Sequence, residues 1–151
     1  MTKIMFGASS GGHFEQLMML KPLMEKYESI ILTEKTDYPV KTPVKTYHVG
    51  QINRREPLFF LKLVINGFKV LFIVLKEKPD VFITTGVLAM IPAALIMKFF
   101  KKKLIYIESF AKVNTTTMSG RFLYKYADRF YVQWEEMLKF YPDAIYLGGI
   151  Y

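Results

Sequence analysis

A run of small residues and one histidine follows the first apolar stretch of the chain. Residues 3–13 read KIMFGASSGGH, and an amphipathic segment starts at the histidine. Glycines let a ligand approach the backbone, the first N–H groups of a helix attract anions, and an imidazole can accept a proton from a sugar hydroxyl near neutral pH. The run therefore predicts a phosphate or sugar site formed by Ser9, Ser10, Gly11 and Gly12, with His13 as a possible general base. A plain strand-to-helix connection, with His13 only in the capping region of the helix, explains this sequence equally well.

Other uses of a Gly/Ser turn fit less well. No Gly-Lys-Ser/Thr follows it, so it is not a P-loop, and its spacing is not that of a dinucleotide fingerprint. It does match G-x-S-x-G, which would make Ser9 a hydrolase nucleophile. Asp37 and His48 follow in the order a hydrolase needs, but both lie in the first third of the chain, and we expect no hydrolase activity.

Composition limits the chemistry further. The 151 residues suit one domain, taken here as 1–151, and the 52% hydrophobic content predicts an extensive core or an apolar surface. With no cysteine and two histidines, neither a disulfide nor a metal site is expected. The net charge of +8 favours anionic partners such as phosphates or acidic lipids. No nucleic-acid recognition motif is present, so nucleic acid is not expected as a partner.

The alternation of strand and helix patterns predicts an α/β fold with a doubly wound, mainly parallel sheet. Strands are predicted at 3–8, 29–34, 44–50, 79–86, 102–109, 128–134 and 144–149, and helices at 13–26, 58–75, 86–100, 120–127 and 135–141. Ligands of such sheets bind at the carboxyl ends of the strands. That edge would collect residues 9–13, 50–55, 84–86, 108–112 and 133–135.

The most apolar stretch is LFFLKLVINGFKVLFIVL, residues 58–75. As a helix it places Lys62, Asn66 and Lys69 on one polar stripe. Two lysines near the centre cost about 5–7 kcal/mol on an insertion scale, which offsets the gain from the apolar residues, so a bilayer-spanning helix is not expected. The helix could cover the sheet inside the domain. The charges that flank the helix also suit binding at a membrane surface. The residues predicted to contact the membrane are Arg54, Arg55, Phe59, Phe60, Lys62 and Lys69.

No Asp-x-Asp pair and no second Gly-rich loop is present to hold a nucleotide sugar, so no cofactor is expected and the domain looks unequipped to complete a transfer alone. The chain reaches Gly7 and Ser9 too soon for a signal peptide. It is therefore expected in the cytoplasm. The apolar, basic-flanked segment 58–75 adds the expectation that it is peripheral on the inner face of the cell membrane.

The motifs SSGGHFEQL, ITTG, IYIESFAKVNTTTMSGRFLYKYADRFYVQWEEMLKFYP and YLGG together resemble a known family. They are similar to the PssD/CpsF-like proteins of capsule and exopolysaccharide clusters. These are bacterial relatives of the membrane-anchoring subunit of the eukaryotic two-subunit N-acetylglucosaminyltransferase that acts on dolichol-linked sugar. The resemblance covers nearly the whole chain and implies a Rossmann-like fold, the amino-terminal half of a GT-B glycosyltransferase.

What the resemblance implies is a heterodimeric, inverting glycosyltransferase. A nucleotide-sugar-binding partner subunit would supply the donor, while this chain would bind a polyprenyl-diphosphate-linked acceptor, attach to the membrane and activate the partner. The Gly-Gly-His turn of residues 10–13 would face the acceptor and its phosphates. The alternative is a non-catalytic scaffold that only shapes the partner's site.

Four further residues are assigned by position or residue type. Glu108 and Ser109 end a strand at the predicted cleft and are candidates for contacts with the acceptor sugar or with the partner, although a glutamate that caps the next turn is at least as good an alternative. Gln133 and Trp134 are candidates for the partner interface, because tryptophan is enriched at interfaces. A buried core tryptophan is the alternative there.

Overall fold

The computed structural model describes residues 1–151 as one seven-stranded parallel sheet with helices on both faces. The strands are β1 (Lys3–Ala8), β2 (Glu28–Glu34), β3 (Thr46–Val49), β4 (Val81–Gly86), β5 (Lys103–Ile107), β6 (Arg129–Val132) and β7 (Ile145–Tyr146). The helices are α1 (Gly12–Met18), α2 (Lys21–Lys26), α3 (Phe59–Glu77), α4 (Ile91–Phe99) and α5 (Met118–Leu123), with 3-10 turns at Leu88–Met90 and Glu135–Lys139.

The sheet order is β3-β2-β1-β4-β5-β6-β7, and every pair is parallel. This confirms the predicted doubly wound α/β fold. Successive side chains of a strand point to opposite faces, so β1 contributes to two cores. Met5 belongs to the larger core under α3 and α4, whereas Ile4 and Phe6 belong to the smaller core under α1 and α2.

The predicted helix over 13–26 is wrong as a single element. It is two short helices, α1 and α2, joined by a turn at residues 19–20. Pro22 explains the break, because proline has no N–H to continue a helix and is tolerated only in its first turn. It occupies that first-turn position in α2.

The predicted helix start at Gly86 also needs correction. Gly86 ends β4 with a φ of 101°, a conformation that L residues with side chains rarely adopt. A 3-10 turn follows, and α4 starts at Ile91 with Pro92 in its first turn. Gly86 therefore shapes the loop at the carboxyl end of β4.

The long apolar helix exists as the 19-residue α3, with one correction to its polar stripe. Asn66 is buried, because its side-chain amide pairs with the backbone of Gly50: Asn66 Nδ2 donates to the Gly50 oxygen at 2.8 Å, and the Gly50 N–H donates to Asn66 Oδ1 at 3.1 Å. Together with Val70, Ile73 and Val74 it forms the packed face of the helix. This pair fixes the first half of α3 against the residue that follows β3.

Candidate functional site

The centre of the carboxyl edge is a topological switch point. β1 and β4 are neighbours, yet the chain leaves β1 through α1 toward β2 and leaves β4 through α4 toward β5, on the opposite face of the sheet. Two loops that diverge in this way leave a crevice between them, which is where doubly wound sheets bind ligands. The Gly/Ser turn and the carboxyl end of β4 with the loop that follows it line this crevice.

His13 is held at the crevice by Thr85. Its Nδ1 lies 2.9 Å from the carbonyl oxygen of Thr85, and the Thr85 hydroxyl donates to the carbonyl oxygen of His13 at 2.7 Å. A carbonyl can only accept, so Nδ1 carries the proton of the neutral ring and Nε2 keeps its lone pair. Nε2 makes no hydrogen bond within the chain. The ring is therefore oriented as a general base requires, with one nitrogen free for a substrate proton.

Ser9 joins the Gly/Ser turn after β1 to the end of β4 through two hydrogen bonds. Its N–H donates to the carbonyl oxygen of Gly86 at 2.8 Å, and its hydroxyl accepts from the N–H of Val87 at 3.0 Å. Only 4% of Ser9 is exposed, and His48, the histidine that a hydrolase would pair with it, lies two strands away on β3. The structure places Ser9 in the framework of the crevice.

The next three residues form its open rim. Ser10 is half-buried, and Gly11 and Gly12 are exposed, with no atom within 4 Å of the place where a side chain would start on either glycine. Gly11 has a φ of 84°, so its backbone conformation requires glycine. Neither crowding nor a positive φ requires glycine at Gly12. A bare backbone at Gly12 leaves space for a ligand beside His13.

Glu108 is a buried carboxylate, 1% exposed, that organises the loop after β5. It accepts from the N–H groups of Ser109 and Thr117 at 3.0 and 3.2 Å, and from the hydroxyls of Thr117 and Tyr141 at 2.8 and 2.7 Å. Burial raises the pKa of Tyr141 above its ordinary value, and the hydrogen bond to Glu108 raises it further. Ser109 is also buried, and its hydroxyl accepts from the N–H of Ala111 at 3.2 Å. The capping alternative for Glu108 matches these contacts, and its predicted acceptor contact stays a prediction.

Gln133 lies inside the protein. Its Nε2 donates to Gln16 Oε1 at 2.8 Å and to the carbonyl oxygen of Glu108 at 2.9 Å, and its Oε1 accepts from the N–H of Ile150 at 3.1 Å. It is 4% exposed, so it offers a partner almost no surface of its own. Trp134 is half-buried; its indole N–H donates to the carbonyl oxygen of Phe110, and the two rings are 4.9 Å apart.

Sequence reasoning missed Gln16, which holds this edge together. It placed Thr85 at the edge, within residues 84–86, but did not predict its pairing with His13. Gln16 Oε1 also accepts from the N–H of Phe110 at 3.0 Å and so joins α1 to the loops after β5 and β6. The available signal was a polar residue between Phe14 and Leu17 on the buried side of α1.

The face of α3 opposite its packed side is apolar and uncovered. Phe60, Phe68 and Phe72 are 77%, 70% and 67% exposed, and Leu61, Val64, Ile65 and Leu75 are exposed between them. Among the predicted contacts, Arg54, Arg55, Phe60 and Lys69 are exposed, while Phe59 and Lys62 are half-buried and Lys62 pairs with Glu56. No helix of the structure has the combination of length and apolar content needed to cross a bilayer.

Comparison with solved structures agrees with the sheet topology. MurG of Acinetobacter baumannii superposes with a TM-score of 0.74 at 15% identity, over 90% of this chain and 43% of that protein. The UDP-N-acetylglucosamine 2-epimerase of Rickettsia bellii superposes with a TM-score of 0.75 at 14% identity, over 99% of this chain and 45% of that protein. The chain thus spans less than half of these proteins, and its fold is a Rossmann-like α/β half of the GT-B type.

Sequence comparison identifies the family. Residues 48–150 match the family described as "Oligosaccharide biosynthesis protein Alg14 like". The UDP-N-acetylglucosamine transferase subunit ALG14 of Yarrowia lipolytica is 28% identical over 97% of this chain and 80% of that protein. The chain belongs to the Alg14-like family.

Proposed function

We propose that this chain is the acceptor-side, membrane-associating subunit of a heteromeric, inverting glycosyltransferase. The observation that carries the proposal is the free Nε2 of His13 beside the uncovered backbone of Gly12. The reaction joins an acceptor hydroxyl to the anomeric carbon of a nucleotide sugar. The hydroxyl loses its proton as its oxygen forms the new bond, and the nucleoside diphosphate leaves with the electrons of the bond that breaks. Nε2 of His13 receives that proton.

A partner chain supplies the donor site in this proposal. This is supported by the relatives, which are named as subunits of a UDP-N-acetylglucosamine transferase. Stabilisation of the departing diphosphate then comes from the partner. Trp134 and Phe110, whose rings pack against each other at a tilt on the carboxyl edge, are the proposed contact with the partner.

The acceptor is a sugar linked through a diphosphate to a polyprenyl lipid. The exposed apolar face of α3, with Lys69 and Lys76 on the same helix, supports peripheral attachment to the inner face of the cell membrane. The motif likeness to PssD/CpsF-like proteins supports a role in capsule or exopolysaccharide synthesis. No nucleic acid and no resident cofactor enters this function.

The test uses the complex of this chain with its partner, isolated from membranes, and the variant His13→Ala. Turnover should fall by about 10²-fold or more, while the two subunits still co-elute. Lys26→Ala is the control, because Lys26 ends α2 beside the amino end of β2, away from the carboxyl edge, and the change should leave turnover unchanged. Near-normal turnover of His13→Ala with an intact complex would show that His13 is not the general base, and would favour the alternative in which this chain is a non-catalytic scaffold. Tight binding and unaided transfer of a UDP-sugar by the isolated chain would contradict the split enzyme itself.

A further inference from the structure

A second cleft, of about 430 Å³, opens at the carboxyl edge between β4 and the loop after β5. It begins at Val87, whose N–H donates to Ser9, so it adjoins the crevice that holds His13. Its lining contains three cationic side chains and no carboxylate, together with the hydroxyl residues Thr116, Thr117 and Ser119.

The three cations come from three separate parts of the chain. Arg54 lies in the loop before α3, Lys112 in the loop after β5, and Arg121 in α5. None of the three takes part in any of the ion pairs of the structure. Like charges that meet in one cleft repel one another, and no acidic side chain lines the cleft to compensate them. This arrangement favours an anion as the ligand.

The donor geometry suits phosphate oxygens. The Arg54 Nη1 lies 3.0 Å from the thioether sulfur of Met118, a weak acceptor, so the other guanidinium donors remain available. Guanidinium groups bind phosphate through paired hydrogen bonds, and an ammonium adds a point charge. Two arginines and one lysine therefore match two linked phosphates.

The surroundings indicate what the anion is attached to. Arg54 lies only a few residues before the uncovered apolar face of α3. That face starts with Leu58, which is 57% exposed, and Phe60, which is 77% exposed. At its other end the cleft is lined by Val87, two residues after Thr85, whose carbonyl oxygen accepts from His13, and so it approaches His13. The order along the surface is imidazole, cations, apolar helix, which is the order of sugar, diphosphate and lipid in a polyprenyl-linked acceptor.

We infer that Arg54, Lys112 and Arg121 form the subsite for the diphosphate of the lipid-linked acceptor. This inference rests on the proposed function, because it identifies where the acceptor of that reaction is held. An acidic lipid headgroup and free diphosphate share the same chemistry, and the experiment below separates them from the lipid diphosphate.

The probe is a vesicle of neutral phosphatidylcholine that contains a few per cent of geranylgeranyl diphosphate, titrated with the purified full chain. Arg54→Gln, Lys112→Gln and Arg121→Gln should each weaken binding roughly tenfold, as expected for a lost charge-assisted hydrogen bond. Arg54→Lys and Lys112→Arg should recover part of that loss. Lys26→Gln, on α2 across the sheet, removes the same charge and should bind like the unchanged protein. Thermal melting of each variant checks that it is folded.

Two further ligands identify the source of the anion. Vesicles in which phosphatidylglycerol replaces the diphosphate lipid should bind the three variants and the unchanged protein within about twofold of each other. Equal losses on both kinds of vesicle would show a general acidic-headgroup surface and overturn the assignment. Inorganic diphosphate should compete only weakly; competition at the affinity of the lipid would overturn the lipid source.

Failure of this inference can be told from failure of the proposed function. If the complex transfers sugar and the three variants keep an unchanged KM for the lipid acceptor, the subsite is wrong and the function stands. If the variants lose diphosphate binding but the unchanged complex transfers no sugar, the subsite stands and the function is wrong.

Discussion

His13 and Thr85 hold each other by two hydrogen bonds of opposite direction. The imidazole Nδ1 of His13 donates to the backbone carbonyl oxygen of Thr85 at 2.9 Å, and the side-chain hydroxyl of Thr85 donates to the backbone carbonyl oxygen of His13 at 2.7 Å. The two residues are 72 positions apart in sequence, so the pair fastens α1 to the end of β4. The first bond selects the tautomer of the ring. The second fixes the backbone from which the ring projects.

Replacement of the Thr85 hydroxyl should affect both folding and catalysis. Thr85→Val leaves the buried carbonyl oxygen of His13 without this donor, which should lower the free energy of unfolding by about 1–2 kcal/mol. We also expect a fall in kcat of the complex with little change in KM, because the ring loses its alignment. Denaturant unfolding and steady-state kinetics measure the two effects. Thr85→Ser retains the hydroxyl and should restore kcat; no rescue would contradict a positioning role.

The two exposed glycines of the turn should respond differently to alanine. Gly12→Ala should leave stability unchanged or raise it by up to about 1 kcal/mol, since Gly12 starts a helix and its side-chain position is empty. The added methyl group should still lower turnover about tenfold, because it occupies the space beside His13. Gly11→Ala forces a side chain into a φ of 84° and should cost about 1–3 kcal/mol of stability. Thermal melting and activity of both variants are the measurements, and full activity of Gly12→Ala would argue against a ligand at this turn.

Glu108 should prove a structural carboxylate. Glu108→Gln places an amide NH₂ among donors from Thr117 and Tyr141, so we expect the free energy of unfolding to fall by about 2–3 kcal/mol. The exposed Glu135 provides the control, because Glu135→Gln should change stability by less than about 0.5 kcal/mol. Urea unfolding compares the two variants. Unchanged stability of Glu108→Gln together with a raised KM would instead assign Glu108 to acceptor binding.

The outer face of α3 should govern membrane attachment without contributing to the core. Phe68→Gln and Phe72→Gln should leave the melting temperature unchanged, because both rings are mostly exposed. Each should weaken sedimentation with lipid vesicles about tenfold or more, since a buried Phe side chain contributes about 1.5–3 kcal/mol. Tyr146→Gln, on β7, changes another exposed aromatic residue and should sediment normally. Equal loss in that control would indicate nonspecific adhesion.

Glu77 should make the protein sensitive to acid. Hydrogen bonds from Lys3, Lys45 and Tyr47 lower the pKa of its carboxyl from 4.5 to about 2. A carboxyl whose pKa is lower in the folded state contributes stability above its unfolded pKa and loses it as the pH falls toward the folded pKa. The melting temperature of the unchanged protein should therefore exceed that of Glu77→Gln at neutral pH, and the difference should shrink between pH 4.5 and about 2. A difference that is constant over this range would contradict the linkage.

Local patterns predicted most of the fold and only part of the site. The apolar run of β1 and the length of α3 are visible in the sequence, because burial acts on each segment alone. Pro22 is a local signal for a helix break, but the apolar periodicity over residues 13–26 favours one continuous helix, so the prediction from periodicity is wrong there. The hydrogen bond from the N–H of Phe110 to Gln16 joins residues 94 positions apart. No pattern in the sequence around either residue indicates that the two are neighbours in the fold. For the same reason the burial of Asn66 depends on Gly50, which only the assembled fold brings beside it.

The direction of α3 has a consequence for how a substrate arrives. The helix starts at the edge where β3 ends and returns to the edge where β4 begins, so it runs roughly antiparallel to the strands for about 28 Å. For a protein that rests on a bilayer along this helix, the strands lie roughly parallel to the membrane plane, and the crevice of His13 opens sideways over the lipid surface. A lipid-borne sugar then meets the crevice by lateral diffusion within the leaflet, and the search takes place in two dimensions.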